Sequence, residues 1–295
     1  MIANTMERLG FPSEAVASLQ AACDRILAEP KAQVWIEQAK TLLFDGAEKE
    51  FLVPLEKLAL VSDVDRRTSD MVFLLLCIEL LKERYAVEGL PEELLWNTMM
   101  DLRYKLMECM QIHGVWGTFV TSWYGNFYRL GRFALGRLQY EKKPFRFEEG
   151  MCYRGLVRAG DLVLHTHIPS SGPLLYEDVM DSLRRAYDFY REDLREGKLV
   201  FDCSSWLLYP PYFKTVFAEG SNLHRFGSLF DVIQEKEDTE YADFWRVFGL
   251  PYSDENLLAA PTDTSLRRRM KDYLLSGGKM GSGYGVILFD GEKII

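Results

Sequence analysis

The sequence has little of what usually makes a site easy to read. Its five cysteines (Cys23, Cys77, Cys109, Cys152, Cys203) form no Cys-x-x-Cys pair, so neither a zinc knuckle nor a disulfide framework is expected, and a cytoplasmic setting fits. Basic residues are in the minority, 35 Lys and Arg against 44 Asp and Glu for a net charge of -9. That balance repels phosphate polyanions, so no nucleic-acid partner is expected. The longest strongly apolar run, Met71 to Ile78, has eight residues where a spanning helix needs about 20. It reads as a buried helix, and no membrane partner is expected. The first residues carry no basic head followed by a long apolar stretch, so a secretory signal is not expected. There is no Gly-x-Ser-x-Gly elbow for a serine nucleophile.

What is present is ample material for a core. Apolar residues make up 48% and charged residues 27% of 295, enough for one large domain or two smaller ones. From Phe11 onward the apolar spacing is helical. Ala15, Val16, Leu19, Ala22, Cys23 and Ile26 share one face. Breakers divide further helices over 31–44, 48–60 (with Pro54 expected to kink or break it), 68–87 and 91–111. Aromatic residues Trp116, Phe119, Trp123 and Phe127 recur at helical intervals within 113–141, which predicts a helix carrying an aromatic stripe. From Leu135 the texture changes to short strand-like runs: LGRLQYE, FRFEEG, MCYRGLV and DLVLHTHI. A helix opening at Pro173 follows, then a strand at 199–210, a helix at 221–234, a short strand at DFWRVFG, a helix at 262–278 and a last strand, GYGVILFD. The expectation is an α+β chain, with an all-helical N-terminal domain over 1–125 and a mixed sheet flanked by helices over 126–295.

The stretch LHTHIPSSGPL, Leu164 to Leu174, holds two of the four histidines. His165 and His167 are two apart, so on a strand both face the same way. A metal site of the two-histidine β-barrel kind would add a glutamate three or four residues on, where Ser170 and Ser171 stand instead. The loop that follows could offer backbone N–H groups and a helix N-terminus to a phosphate, but with one glycine it reads first as an ordinary strand-to-helix turn. Cys203 reads as a small buried apolar residue. His113 and His224 read as structural.

Several motifs together resemble a known family. LGRLQYE, HIPSSGPL, SLRRAYDFY, CSSWLLYP, SNLHRFGSLF, FWRVFG and PTDTSLRRRMKDYLLSGG occur in this order in bacterial acyltransferase domain-containing proteins. These have a helical N-acyltransferase-type N-terminal domain and a GNAT-like C-terminal domain. The resemblance implies that DLVLHTHI and FDCSSWLL splay apart to admit the pantetheine of an acyl-coenzyme A, with SSGPL as the pyrophosphate loop. It implies a cofactor site at Ile168, Ser170, Ser171, Gly172, Leu174, Cys203 and Ser204, with acetyl-CoA or another acyl-CoA as co-substrate and no metal. His165 and His167 are then the candidate catalytic bases, because an imidazole pKa of about 6.5 suits proton uptake from an ammonium. A small-molecule amine is the implied acceptor. The chain departs from the usual GNAT loop, of which only Gly172 matches, and His224 and Arg225 occupy the helix expected to hold a tyrosine acid. A non-catalytic ligand- or partner-binding protein on the same scaffold is the alternative.

Overall fold

The computed structural model describes residues 2–46 and 49–295. The chain divides into two compact units, one ending at Ala134 and the other spanning Leu135–Ile295. The expected start of a helix at Glu48 lies outside the described residues.

The first unit is helical: Ile2–Arg8, Ser13–Ala28, Ala32–Asp45, Leu52–Ser62, Arg66–Leu76, Ile78–Val87, Glu92–Met99, Asp101–His113 and the single turn Gly125–Tyr128. Its centre is Arg66–Leu76, in which every residue from Thr68 to Leu75 is buried, the polar Thr68, Ser69 and Asp70 together with the apolar run from Met71. Asp65 starts it by accepting from the backbone N–H groups of Arg67 and Thr68, two donors that the helix itself leaves unpaired. The two longest expected helices are each divided. Cys77 (φ -85°, ψ -6°) and Met100 (φ -53°, ψ -21°) stay so near helical geometry that the apolar periodicity runs through the break. Pro54 does not kink its helix; it is the third residue of Leu52–Ser62, within the first turn where its missing N–H has no intrahelical partner to lose. The aromatic segment is not one helix. Gly114 ends the preceding helix in the left-handed region (φ 65°), and a β-carbon on Gly117 would lie 2.5 Å from the Arg67 backbone, so the chain there runs against another helix. Tyr124, Phe127 and Tyr128 are nonetheless fully buried.

The second unit is a six-stranded mixed sheet with helices against it. Its strands are β1 (Arg132–Leu135, at the division), β2 (Leu138–Pro144), β5 (Leu162–His167), β6 (Leu199–Ser205), β7 (Asp231–Glu237) and β8 (Gly281–Phe289), in the order β1-β2-β5-β6-β8-β7. A separate hairpin pairs β3 (Cys152–Tyr153) with β4 (Val157–Arg158). β5 and β6 are parallel, so a crossover must join them; it includes the helix Tyr176–Phe189. That helix begins at Tyr176 rather than Pro173, because Leu175 is extended (φ -70°, ψ 139°). Ser182 ties it to the sheet. Its Oγ donates to the Leu135 carbonyl, accepts from Leu138 N at 3.1 Å and lies 2.9 Å from the Tyr140 hydroxyl. The opposite face packs Val163, Val200, Val286 and Leu288 against Phe145, Tyr153 and Val157 of the hairpin region.

Three local expectations are corrected. FRFEEG is not a strand beyond Pro144. DFWRVFG contains a helix, Phe244–Phe248, stopped by Gly249 at φ 73°; five residues are too few for periodicity to tell helix from strand. Ser221–Gln234 is a short helix, Asn222–Gly227, followed by β7. Gly283 and Gly285 of β8 allow the chain after β6 to lie on the sheet: a β-carbon at Gly283 would sit 2.1 Å from the Leu208 carbonyl oxygen. Gly283→Ala is therefore expected to cost about 1–3 kcal/mol in chemical denaturation.

Asp70 gives the first unit a pH dependence. Its carboxylate is 3% exposed, accepts from Arg66 Nε at 2.6 Å and from Thr121 Oγ1 at 2.5 Å, and burial outweighs both partners to push its pKa up to about 6. A carboxyl whose pKa is higher folded than unfolded (about 3.9) binds more protons in the native state. Its contribution is thus complete below about pH 4 and is lost as pH rises through 6. Comparing wild type with Asp70→Asn in urea, the wild type is expected to lose about 3 kcal/mol relative to the variant between pH 4 and 7. A pH-independent difference would show that Asp70 titrates normally.

Candidate active site

The site is built from strand periodicity and register. Along β5, Val163, His165 and His167 face one side of the sheet, and Leu164 and Thr166 face the other. Glu141 of β2 lies opposite His165, and Asp202 of β6 pairs with His165 across the parallel ladder. Tyr284 of β8 is opposite Ser204, two residues on from Asp202 and so on the same face. One surface of the sheet thereby carries a row of ionisable groups: Glu141, His167, His165, Asp202 and Tyr284. Glu141 is 0%, His165 8% and Asp202 1% exposed.

Buried ionisable groups persist only when hydrogen-bonded. Here the partners are short and specific. His165 Nδ1 lies 2.5 Å from Asp202 Oδ1, and the Tyr284 hydroxyl donates to Asp202 Oδ2 at 2.5 Å. His167 Nε2 lies 2.7 Å from Glu141 Oε1, which also faces Lys143 Nζ at 2.5 Å. The two imidazoles meet edge to face with ring centroids 4.8 Å apart. Burial first, then the charge of Asp202, raises the Tyr284 pKa far above that of a free phenol, so the hydroxyl keeps its proton. Arg146 lays its guanidinium 4.3 Å from the Tyr284 ring centroid and donates its backbone N–H to the hydroxyl at 3.1 Å.

The strands part at this row. Parallel pairing of β5 with β6 comprises Leu164 with Phe201 and His165 with Asp202; β5 runs on to His167, and β6 stays paired to β8 as far as Ser205. The loop from Ile168 to Leu175 follows. Arg137 holds it by donating to the carbonyls of Pro169 (3.0 Å), Gly172 (2.7 Å) and Pro173 (3.1 Å). Gly172 sits at φ 110° with open space where a β-carbon would be. Leu174 is buried, Ile168 and Ser171 are half-buried, and Ser170 and Ser204 are exposed. Cys203 is opposite Gly285 and faces the other side of the sheet from Asp202. Its thiol is buried, and that burial first, with the charge of Asp202, raises its pKa well out of the nucleophilic range. The first turn of the following helix carries Glu177 and Asp178 and has no side-chain cap.

The structure thus brings His165 and His167 together and places Ile168, Ser170, Ser171 and Gly172 in the loop that leaves their strand. Among the described residues, no three His, Cys, Asp or Glu side chains converge to hold a metal ion. Three members of the row were not singled out from sequence: Glu141, Asp202 and Tyr284. A signal for the acids exists. Asp202 interrupts the apolar strand LVF-D-C, and Glu141 ends LQY-E, in strands otherwise buried at those positions.

Residues 1–130 match the N-acyltransferase N-terminal domain family, and residues 132–287 match the GNAT-like C-terminal domain family. The chain belongs to this N-acyltransferase and GNAT-like family. Among solved structures it is similar to an acyltransferase in complex with decanoyl-CoA and teicoplanin, with TM-score 0.77 and 21% identity over 97% of this chain and 87% of that one. It is similar also to an acyltransferase mutant in complex with octanoyl-CoA (TM-score 0.76, 21% identity, 97% and 87% covered). A third is an acyltransferase in complex with CoA and 10C-teicoplanin (TM-score 0.74, 22% identity, 96% and 86% covered). At these identities the likeness is one of fold. No curated protein matches the sequence.

The Arg137 clamp has a testable consequence. Arg137→Ala removes three charge-assisted hydrogen bonds and is expected to speed amide hydrogen exchange at Ser170, Ser171 and Gly172, while Leu164 and Phe201 keep wild-type protection. Unchanged exchange in the loop would show that the loop holds its own shape.

Proposed function

We propose that this protein transfers an acyl group from an acyl-coenzyme A thioester directly to the amine of a small-molecule acceptor. The observation that carries this reading is the parting of β5 and β6 just past the pair His165 and Asp202, with two imidazoles at the opening. Backbone groups released from pairing can bind the pantetheine amides as an added strand would. The N–H of His167 or Ile168 would then donate to the thioester oxygen as charge develops there. Ser170, Ser171 and Gly172 would receive the pyrophosphate, with Leu174 packed beneath, Ser204 on the far lip, and Cys203 contributing main chain only.

His165 and His167 are the candidate bases. An imidazole takes a proton from the acceptor ammonium, the nitrogen lone pair forms the new C–N bond at the thioester carbon, and the C–S bond breaks. A proton returned to the departing thiolate leaves the imidazole as it began, and the extra proton on the newly acylated nitrogen is lost to water, so that ammonium and thioester give one amide, one free thiol and one released proton. The decanoyl-CoA and octanoyl-CoA held by the solved relatives favour a medium acyl chain over acetyl. Their teicoplanin favours a small-molecule acceptor, and the acidic balance of this chain favours a cationic one. Five free thiols suit a cytoplasmic setting.

One observation favours a second reading, a ligand-binding protein without turnover. Glu177 and Asp178 place negative charge in the helix turn nearest the loop, where a pyrophosphate would prefer a bare helix N-terminus. Titration calorimetry with decanoyl-CoA, acetyl-CoA and free coenzyme A separates the two. The transferase reading expects dissociation constants on the order of micromolar, with decanoyl-CoA the tightest. The double variant His165→Ala, His167→Ala is expected to bind equally well but release thiol at least ~100-fold more slowly. Absence of binding to all three would favour the second reading.

A further inference from the structure

The two histidines are not equivalent, and their hydrogen bonds say how they differ. The Tyr284 hydroxyl has one proton. Its oxygen already accepts the N–H of Arg146, and its proton goes to Asp202 Oδ2. Asp202 Oδ1 is then left to meet His165 Nδ1. Between a carboxyl and an imidazole, the proton resides on the more basic imidazole nitrogen. Nδ1 therefore bears hydrogen, and the lone pair of the neutral ring lies on Nε2. His167 is held the other way round. Its Nε2 faces Glu141 Oε1, an oxygen that already receives Lys143 Nζ, so Nε2 bears hydrogen and the lone pair lies on Nδ1.

We infer that Asp202, fixed in turn by Tyr284, is a positioning residue that locks His165 in the Nδ1–H tautomer and makes its Nε2 the proton acceptor of the site, while Glu141 locks His167 in the opposite tautomer. The charge balance agrees. Glu141 is paired with Lys143 from its own strand, whereas both oxygens of Asp202 meet a neutral hydroxyl and His165 itself. A cation formed on His165 is thus the one that a buried carboxylate directly compensates. The other charged and titratable groups around it are His167 on the same strand, Glu141 and Lys143 from β2, Tyr284 from β8, and the guanidinium of Arg146 against the Tyr284 ring. Together these form an imidazole–carboxylate–phenol relay across three neighbouring strands, an arrangement in which the carboxylate sets tautomer and orientation without itself taking the proton.

The role of Nε2 as acceptor rests on the acyl-transfer reading; the tautomer assignment does not. The deciding experiment is long-range proton–nitrogen NMR of the 15N-labelled full chain, with ring signals assigned by loss in His165→Gln and in His167→Gln. The expected result is an Nδ1–H ring at His165 and an Nε2–H ring at His167. In Asp202→Asn the amide donates to Nδ1, so His165 is expected to invert to Nε2–H. Tyr284→Phe leaves the Asp202 carboxylate in place as an acceptor and is expected to keep the Nδ1–H ring at His165. An Nε2–H ring at His165 in wild type, or one unmoved by Asp202→Asn, would overturn the inference. Thiol release from decanoyl-CoA with teicoplanin as acceptor supplies the second readout. Asp202→Asn is expected to lower kcat by about 10³–10⁴-fold with the KM for decanoyl-CoA within about twofold of wild type. Full activity of Asp202→Asn beside an inactive His165→Ala would overturn the relay and leave the transferase reading standing.

Discussion

The contact on which the second unit depends is the one between His165 and Asp202. It joins the two parallel strands at their last paired position and puts an imidazole and a carboxylate, both almost wholly out of water, 2.5 Å apart. A buried pair of this kind contributes little net stability, because desolvating each group offsets their attraction. Its effect is on geometry. Leaving either group without the other would strand a polar atom in the core, so only one register of β5 against β6 is tolerable. A slip by one residue would turn His165 and His167 to the face packed by the helix Tyr176–Phe189.

From that register the rest of the site follows. Glu141 reaches His167 because β2 pairs antiparallel to β5. Tyr284 reaches Asp202 because β8 pairs antiparallel to β6. The apolar half of the same face is sealed by the hairpin region, which leaves the histidine end of β5 as the polar end. On the other face, Ser182 and Tyr140 fix the crossover helix to the sheet, and Arg137 fixes the loop that precedes it. The opening between β5 and β6 is therefore bordered by held elements, as the proposed group transfer would require.

The loop and helix show where this chain differs from a plain phosphate-binding turn. A single glycine, two prolines and two acids in the first helical turn provide few free donors and the wrong side-chain sign for a pyrophosphate. On the proposed reading, recognition there would fall to backbone N–H groups and the hydroxyls of Ser170 and Ser171. The ionisable groups, by contrast, are concentrated in the row on the sheet.

By itself the sequence determined the two kinds of architecture, the order of most elements and the strand–loop–helix at Leu162 to Tyr190. These are properties of local periodicity, of breakers and of short motifs. The strand period alone placed His165 and His167 on one face. Periodicity did not show the breaks at Cys77 and Met100, whose backbone stays nearly helical. It also could not tell a five-residue helix at Phe244–Phe248 from a strand. Only the tertiary structure decided the partners. Glu141, Asp202 and Tyr284 come from strands 24, 37 and 119 residues from His165 along the chain, and nothing local to them encodes which strand lies beside which. Their roles exist only once the sheet has its order and register, because a hydrogen bond between side chains is set by distance in space and not along the chain.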